Sequence, residues 1–119
     1  MNMPILSEGK RFLTETLAGR INEMVFGLDG SVATEEDGGA GRPAIVVTPT
    51  VRVIDDTTIS VEGSLGTSTN LALNIKEVAL QYRNPSDTTE VIPLYRYAFK
   101  PFSKTSRNEI KFSVLIEVD

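Results

Sequence analysis

A chain of 119 residues, 40% hydrophobic and 24% charged, is sized for one domain, 1–119, and can bury roughly 60–70% of its unfolded surface without metals or staples. The net charge of −4 argues against electrostatic binding to nucleic acid or anionic membrane, and no apolar run approaches the ~20 residues of a bilayer span. With no His and no Cys, imidazole and thiolate chemistry and the preferred ligands of zinc are excluded.

The reading is therefore of a non-enzymatic protein without a cofactor. Zero Cys also excludes disulfides. The start, "MNMPILSEGK", lacks the basic region and long apolar stretch of a signal peptide.

The first element is a helix over Leu6–Gly19, "LSEGKRFLTETLAG". Ser7 is expected to cap it, Glu8 to sit favourably in its first turn, and Gly19 to end it in a left-handed conformation. Phe12, Leu13 and Leu17 form its apolar stripe at helical spacing. "RINEMVFGLDG" follows as a strand, stopped by its glycines. Residues 31–43, "SVATEEDGGAGRP", form the longest loop, polar, glycine-rich and expected to be flexible, with the acidic run Glu35, Glu36 and Asp37.

From Ala44 to Asp119 the pattern is of antiparallel strands. "AIVVTPTVRV" places Ile45, Val47, Val51 and Val53 on one face. "TTISVEGSL" alternates likewise, and the two read as a hairpin turning at Asp55-Asp56. In "LALNIKEVALQYR" the apolar parity changes from Leu71, Leu73 and Ile75 to Val78, Leu80 and Tyr82. A two-residue period cannot change phase without an irregularity, which is expected at Lys76-Glu77. "NPSDTTE" is a turn, and "VIPLYRYAF" and "EIKFSVLIEV" are the last two strands, joined around "SKTSRN". The fold class is mainly β: an antiparallel β-sandwich or twisted sheet with one N-terminal helix.

"VIPLYRYAF" is apolar on both faces, with Arg96 interrupting one of them. Such a strand is central in a sandwich or covered on its second face, by the helix or by another subunit. Pro93 argues against a central place. If Arg96 is buried it needs a carboxylate or backbone partner.

Other patterns have ordinary readings. "GGAGRP" has the look of a phosphate loop but lacks the following Lys-Ser or Lys-Thr. The acidic run lacks the ligand alternation of a calcium loop, and neighbouring Asp55 and Asp56 point apart in a tight turn. Tyr82, Tyr95, Tyr97, Phe99 and Phe102 suggest core or interface more than a sugar platform, since tryptophan is absent. Lys100, Lys104, Arg107 and Lys111 give the last hairpin a positive bias that could complement the acidic loop of a second copy.

Three stretches resemble small tail-associated structural proteins of tailed bacteriophages, of the tail-collar and tail-fibre N-terminal type. They are "FLTETLAGRINEMVFGLDGS", "LNIKEVALQY" and "RYAFKPFSKTSRNEIKFSVLIEV", in the family's order and covering about half of the chain. Ala79 stands where that family commonly has glycine. The resemblance implies a virion structural module made in the host cytoplasm. It would assemble as a trimer or ring, dock on other virion proteins, and carry no active-site residues. The longer members continue into a fibre shaft that this sequence does not show, which leaves adaptor, collar and capsid-decoration roles open. The interaction residues expected are Tyr95, Arg96, Tyr97, Phe99 and Phe102, with Glu35, Glu36 and Asp37 as a second contact. A carbohydrate-binding β-sandwich is the alternative from another class.

Overall fold

The computed structural model describes residues 3–66, 74–105 and 107–118. Among these residues one helix, α1 (Ser7–Arg20), precedes seven strands: β1 (Glu23–Gly27), β2 (Pro43–Val47), β3 (Thr50–Asp55), β4 (Thr58–Leu65), β5 (Asn74–Arg83), β6 (Val91–Ser103) and β7 (Ile110–Glu117). They form two antiparallel sheets, ordered β2-β1-β5-β6 and β3-β4-β7, so the fold is a β-sandwich with an N-terminal helix. Among the described residues no helix is long and apolar enough to cross a membrane.

The core is where the alternating apolar faces meet. Met24, Phe26, Val78 and Leu80 of one sheet pack against Ile59, Val61, Leu65 and Ile116 of the other. Phe26 and Phe112 meet edge to face with centroids 6.2 Å apart, a favoured aromatic geometry. Gly63 faces Met24 so closely that a Cβ there would lie 2.4 Å from its sulfur, which fixes the spacing of the sheets at this point.

The run from Ala44 to Val53 is not one strand. The chain leaves the first sheet after Val47 and enters the second at Thr50. Pro49 sits at the crossing, where a missing N–H breaks no ladder. Ile45, Val47 and Val51 still pack on the core, because the two sheets face each other across it. The β3–β4 hairpin turns at Asp56-Thr57, one residue past the expected Asp55-Asp56, with Asp55 accepting from the backbone N–H of Thr57 at 3.0 Å.

The helix departs from its expected ends. Leu6 occupies the capping position and Ser7 is the first helical residue, without a side-chain cap. Gly19 lies inside the helix, which ends at Ile21 in an extended conformation. The reason is the direct run into β1. The Asn22 amide brackets the backbone of Arg83, donating to its C=O and accepting from its N–H, both at 2.9 Å, so no left-handed residue is needed.

The buried face also differs. Phe12 and Leu13 are exposed, whereas Thr14 is fully buried and Leu17 and Ala18 pack on the core. Thr14 can be buried because its hydroxyl donates to the carbonyl of Asp56 at 2.8 Å, which ties α1 to the β3–β4 turn.

Strand β5 carries the expected irregularity, between Ile75 and Glu77, and both Ile75 and Val78 reach the core. Leu71 and Leu73, which set the earlier parity, and the "TSTN" part of the preceding loop lie outside the described residues, as does Ser106 of the last turn. Strand β6 is an edge strand, and Pro93 stands beside a second irregularity opposite Gln81. This is where proline is tolerated.

Candidate functional site

Strand β6 is framed differently on its two faces. Register pairs Tyr95 with Leu80 and Tyr97 with Val78, so the tyrosines share the face that looks into the sandwich. Arg96 pairs with Ala79 and Ala98 with Glu77, on the outer face. That outer face is covered by the segment 28–42 of the same chain, not by α1 or necessarily by another subunit.

Glu77 explains the cover. Its side chain is fully buried, and one carboxylate oxygen accepts from the backbone N–H of Asp29 at 2.7 Å and of Arg42 at 2.9 Å. The other accepts from the N–H of Gly41 at 2.7 Å and from Arg96 Nε at 2.9 Å. Arg96, with its side chain 4% exposed, also donates to Asp37 Oδ2 at 3.1 Å and to the Asp29 carbonyl at 3.0 Å. Each buried polar atom here has its partner, the condition under which a buried ion pair is tolerable.

The segment expected to be flexible, 31–43, is thus tied to β5 and β6 through Asp37, Gly41 and Arg42, with Asp29 holding the chain just before it. The glycines serve this. A Cβ on Gly27 would approach Glu77 Oε2 to 2.6 Å and the Arg42 carbonyl to 2.7 Å, and Gly39 has φ of 112°, a left-handed conformation that favours glycine. The phosphate-loop look of "GGAGRP" has the same origin. Its backbone N–H groups do converge on an anion, and the anion is the carboxylate of Glu77.

Burial pushes the Glu77 carboxyl upward, but the Arg42 N–H, the Arg96 guanidinium and the N–H groups of Asp29 and Gly41 outweigh it and hold it below the ordinary range. Asp37 is held low by the N–H of Thr34, and with Arg96 acting in the same direction. Asp29 is held low first by Ser31. Groups with a depressed folded value contribute stability above their unfolded value and lose it as pH falls through the folded one. Stability is therefore expected to be level from pH 7 to about pH 5 and to fall between about pH 5 and pH 3. Urea midpoints measured across that range check this, and the decline should be shallower in Glu77→Gln.

The other expected site residues separate into groups. Phe99 and Phe102 stack on each other at 5.1 Å, and Phe99 meets Phe112 at 5.7 Å, so both pack onto the edge of the core. Tyr95 and Tyr97 are 41% and 60% exposed. Tyr82 lies apart, beneath the guanidinium of Arg20. Glu35 and Glu36 are exposed at the loop tip, while Asp37 is engaged within its own chain. Arg96 is likewise an internal tie rather than a contact residue. Among the described residues no group of acidic side chains is placed to hold a metal ion.

Among the described residues, what remains open is the side of the sandwich between β6 and β7, one edge strand of each sheet. A cleft of about 290 Å³ opens there, lined by Val78, Leu80, Tyr95, Tyr97, Phe112 and Val114 among others. Leu115 beside it is 66% exposed. An unpaired edge strand with apolar side chains is a template for another chain. The architecture is that of a β-sandwich with one latched face and one open edge. Compared with known proteins, the chain matches no family model, no curated protein and no solved structure.

Proposed function

We propose that this chain is a non-enzymatic virion structural protein, a tail, collar or fibre-attachment module that self-assembles and docks on neighbouring virion proteins. The observation that carries the reading is the open β6–β7 edge, with Tyr95, Tyr97 and Leu115 exposed beside an apolar cleft. Pro93 and Pro101, each beside an irregularity, blunt the two ends of this edge, and the regular stretch between them, Tyr95 to Ala98, is the part left for a partner. Here the latch covers only the outer face and leaves the hydrogen-bonding edge of β6 to a partner. The resemblance of "RYAFKPFSKTSRNEIKFSVLIEV" to phage tail proteins falls on these same two strands, and it favours a trimer or ring.

The test is the mass in solution, by light scattering, of wild type and Tyr97→Glu. Arg96→Glu is unsuitable because it breaks the latch. Wild type should form a discrete oligomer, and Tyr97→Glu a monomer with an unchanged melting temperature. A wild-type monomer at every concentration would overturn the reading, and saturable glycan binding by that monomer would support a carbohydrate-binding module in its place.

A further inference from the structure

The reading just given says that copies associate at the β6 edge but not what seats on it. Resting on that reading, we propose that the occupant is the N-terminal arm, Met3 to Leu6, of a second copy, added to β6 as a short strand.

The edge is flanked by two clefts, one between the sheets and one that reaches the outer face at Ala98 beside the latched segment. The cleft between the sheets, about 290 Å³, lies on the inner face. A second cleft of about 520 Å³ lies between β6 and the latched segment, lined by Gly30, Val32, Ala33, Ala98, Phe99 and Lys100. Tyr97 borders both. A strand paired to β6 sends successive side chains to opposite faces, so its residues would enter the two clefts alternately.

The arm has the matching pattern. Met3, Pro4, Ile5 and Leu6 carry no charge, and Met3 is 85% and Leu6 74% exposed, without a place in their own core. Leu6 is already extended, with φ −70° and ψ 156°. Pro4 lacks an N–H, which an edge position accepts. Phe12 and Leu13, exposed on the adjoining helix, extend the apolar surface that would be covered.

The arm is not seated on the Tyr95–Lys100 stretch of its own β6. The second half of α1, from Leu13 to Arg20, borders Tyr82 of β5 and Ile92 and Leu94 at the start of β6. Residues 3–6 lie beyond the other end of the helix, about 10 Å past Leu13 along its axis. Thr14 anchors the intervening part at the β3–β4 turn, and β3 is the edge opposite β7 in its sheet. None of residues 3–6 lines either cleft. Donor and acceptor surfaces are therefore different on one copy, a head-to-tail arrangement that gives a ring or trimer when its rotation closes and an open filament when it does not.

The test uses the full chain in two variants. One carries Met3→Asp and Leu6→Asp in the arm, where aspartate is a good residue at the helix-capping position and should not harm folding. The other carries Tyr97→Glu at the edge. Each alone should be monomeric and melt as wild type does. Mixed in equal amounts they should form a heterodimer, since the edge variant keeps a sound arm and the arm variant a sound edge. An arm variant that retains the wild-type mass while Tyr97→Glu is monomeric overturns the inference and leaves the self-assembly reading standing, with β6 pairing on β6 of its neighbour as the remaining geometry. Two monomeric variants that fail to combine also overturn it. A monomeric wild type removes both.

Discussion

Glu77→Ala is expected to lower the free energy of unfolding by about 3–5 kcal/mol, the cost of removing one partner of a buried ion pair. Glu77 is fully buried and is the single acceptor for three backbone N–H groups and one guanidinium nitrogen. Without it those N–H groups lose their partner, and Arg96 keeps Asp37 and the Asp29 carbonyl. Arg96→Met should cost less, because the Glu77 carboxylate retains its three backbone donors. The two residues touch, so the double variant should fall short of the sum. Urea unfolding of the three variants checks the order. Hydrogen exchange at Asp29, Gly41 and Arg42 should rise in Glu77→Ala before global unfolding. A loss below about 1 kcal/mol would mean the latch contributes little.

Phe26→Ala is expected to cost about 3–5 kcal/mol as well, by a different route. Phe26 has no exposed surface and stands at the meeting of the two sheets, edge-on to Phe112. Truncation removes buried apolar area and leaves a cavity that the β ladders on both sides of β1 keep from collapsing. At about 4 °C per kcal/mol for a domain of this size, the melting temperature should fall by roughly 12–20 °C. Unlike Glu77→Ala, this loss should not vary between pH 7 and about pH 3, because no titrating group is involved.

How much of this was legible in the sequence depends on whether the signal was periodic. The core faces of β4 and β7 followed directly from alternation, since Ile59, Val61 and Leu65 and then Ile110 to Val118 keep one parity. Pro93 marked an edge strand, and the parity change before Val78 marked the irregularity in β5. The break at Thr48-Pro49 was hidden, because a chain crossing between facing sheets keeps the same inward parity. The helix face was misread through Phe12 and Leu13. Apolar side chains attract a burial assignment, while Thr14 is buried through a hydrogen bond that no period reveals.

The candidate site was half visible. Tyr95 and Tyr97 could be placed on one face of a two-faced strand, and a buried Arg96 needed a carboxylate or backbone partner. Which acid was not readable. Asp37 lies 59 residues away and Glu77 lies 19 away, and tertiary pairing of this kind leaves no spacing rule. The one usable sign was Glu77 itself, a lone carboxylate within "IKEVAL", a run otherwise suited to burial. It doubled as the sign that the glycine-rich segment would be held down rather than loose.

Hydrogen exchange of the β6 amides from Tyr95 to Lys100, followed as a function of protein concentration, tests the open-edge account most directly. The account predicts that amides facing away from β5 gain protection as the chain associates, while those bonded to β5 are protected throughout. Exchange at β6 that stays the same from the monomer to the highest concentration, or protection that appears on another face, would contradict it.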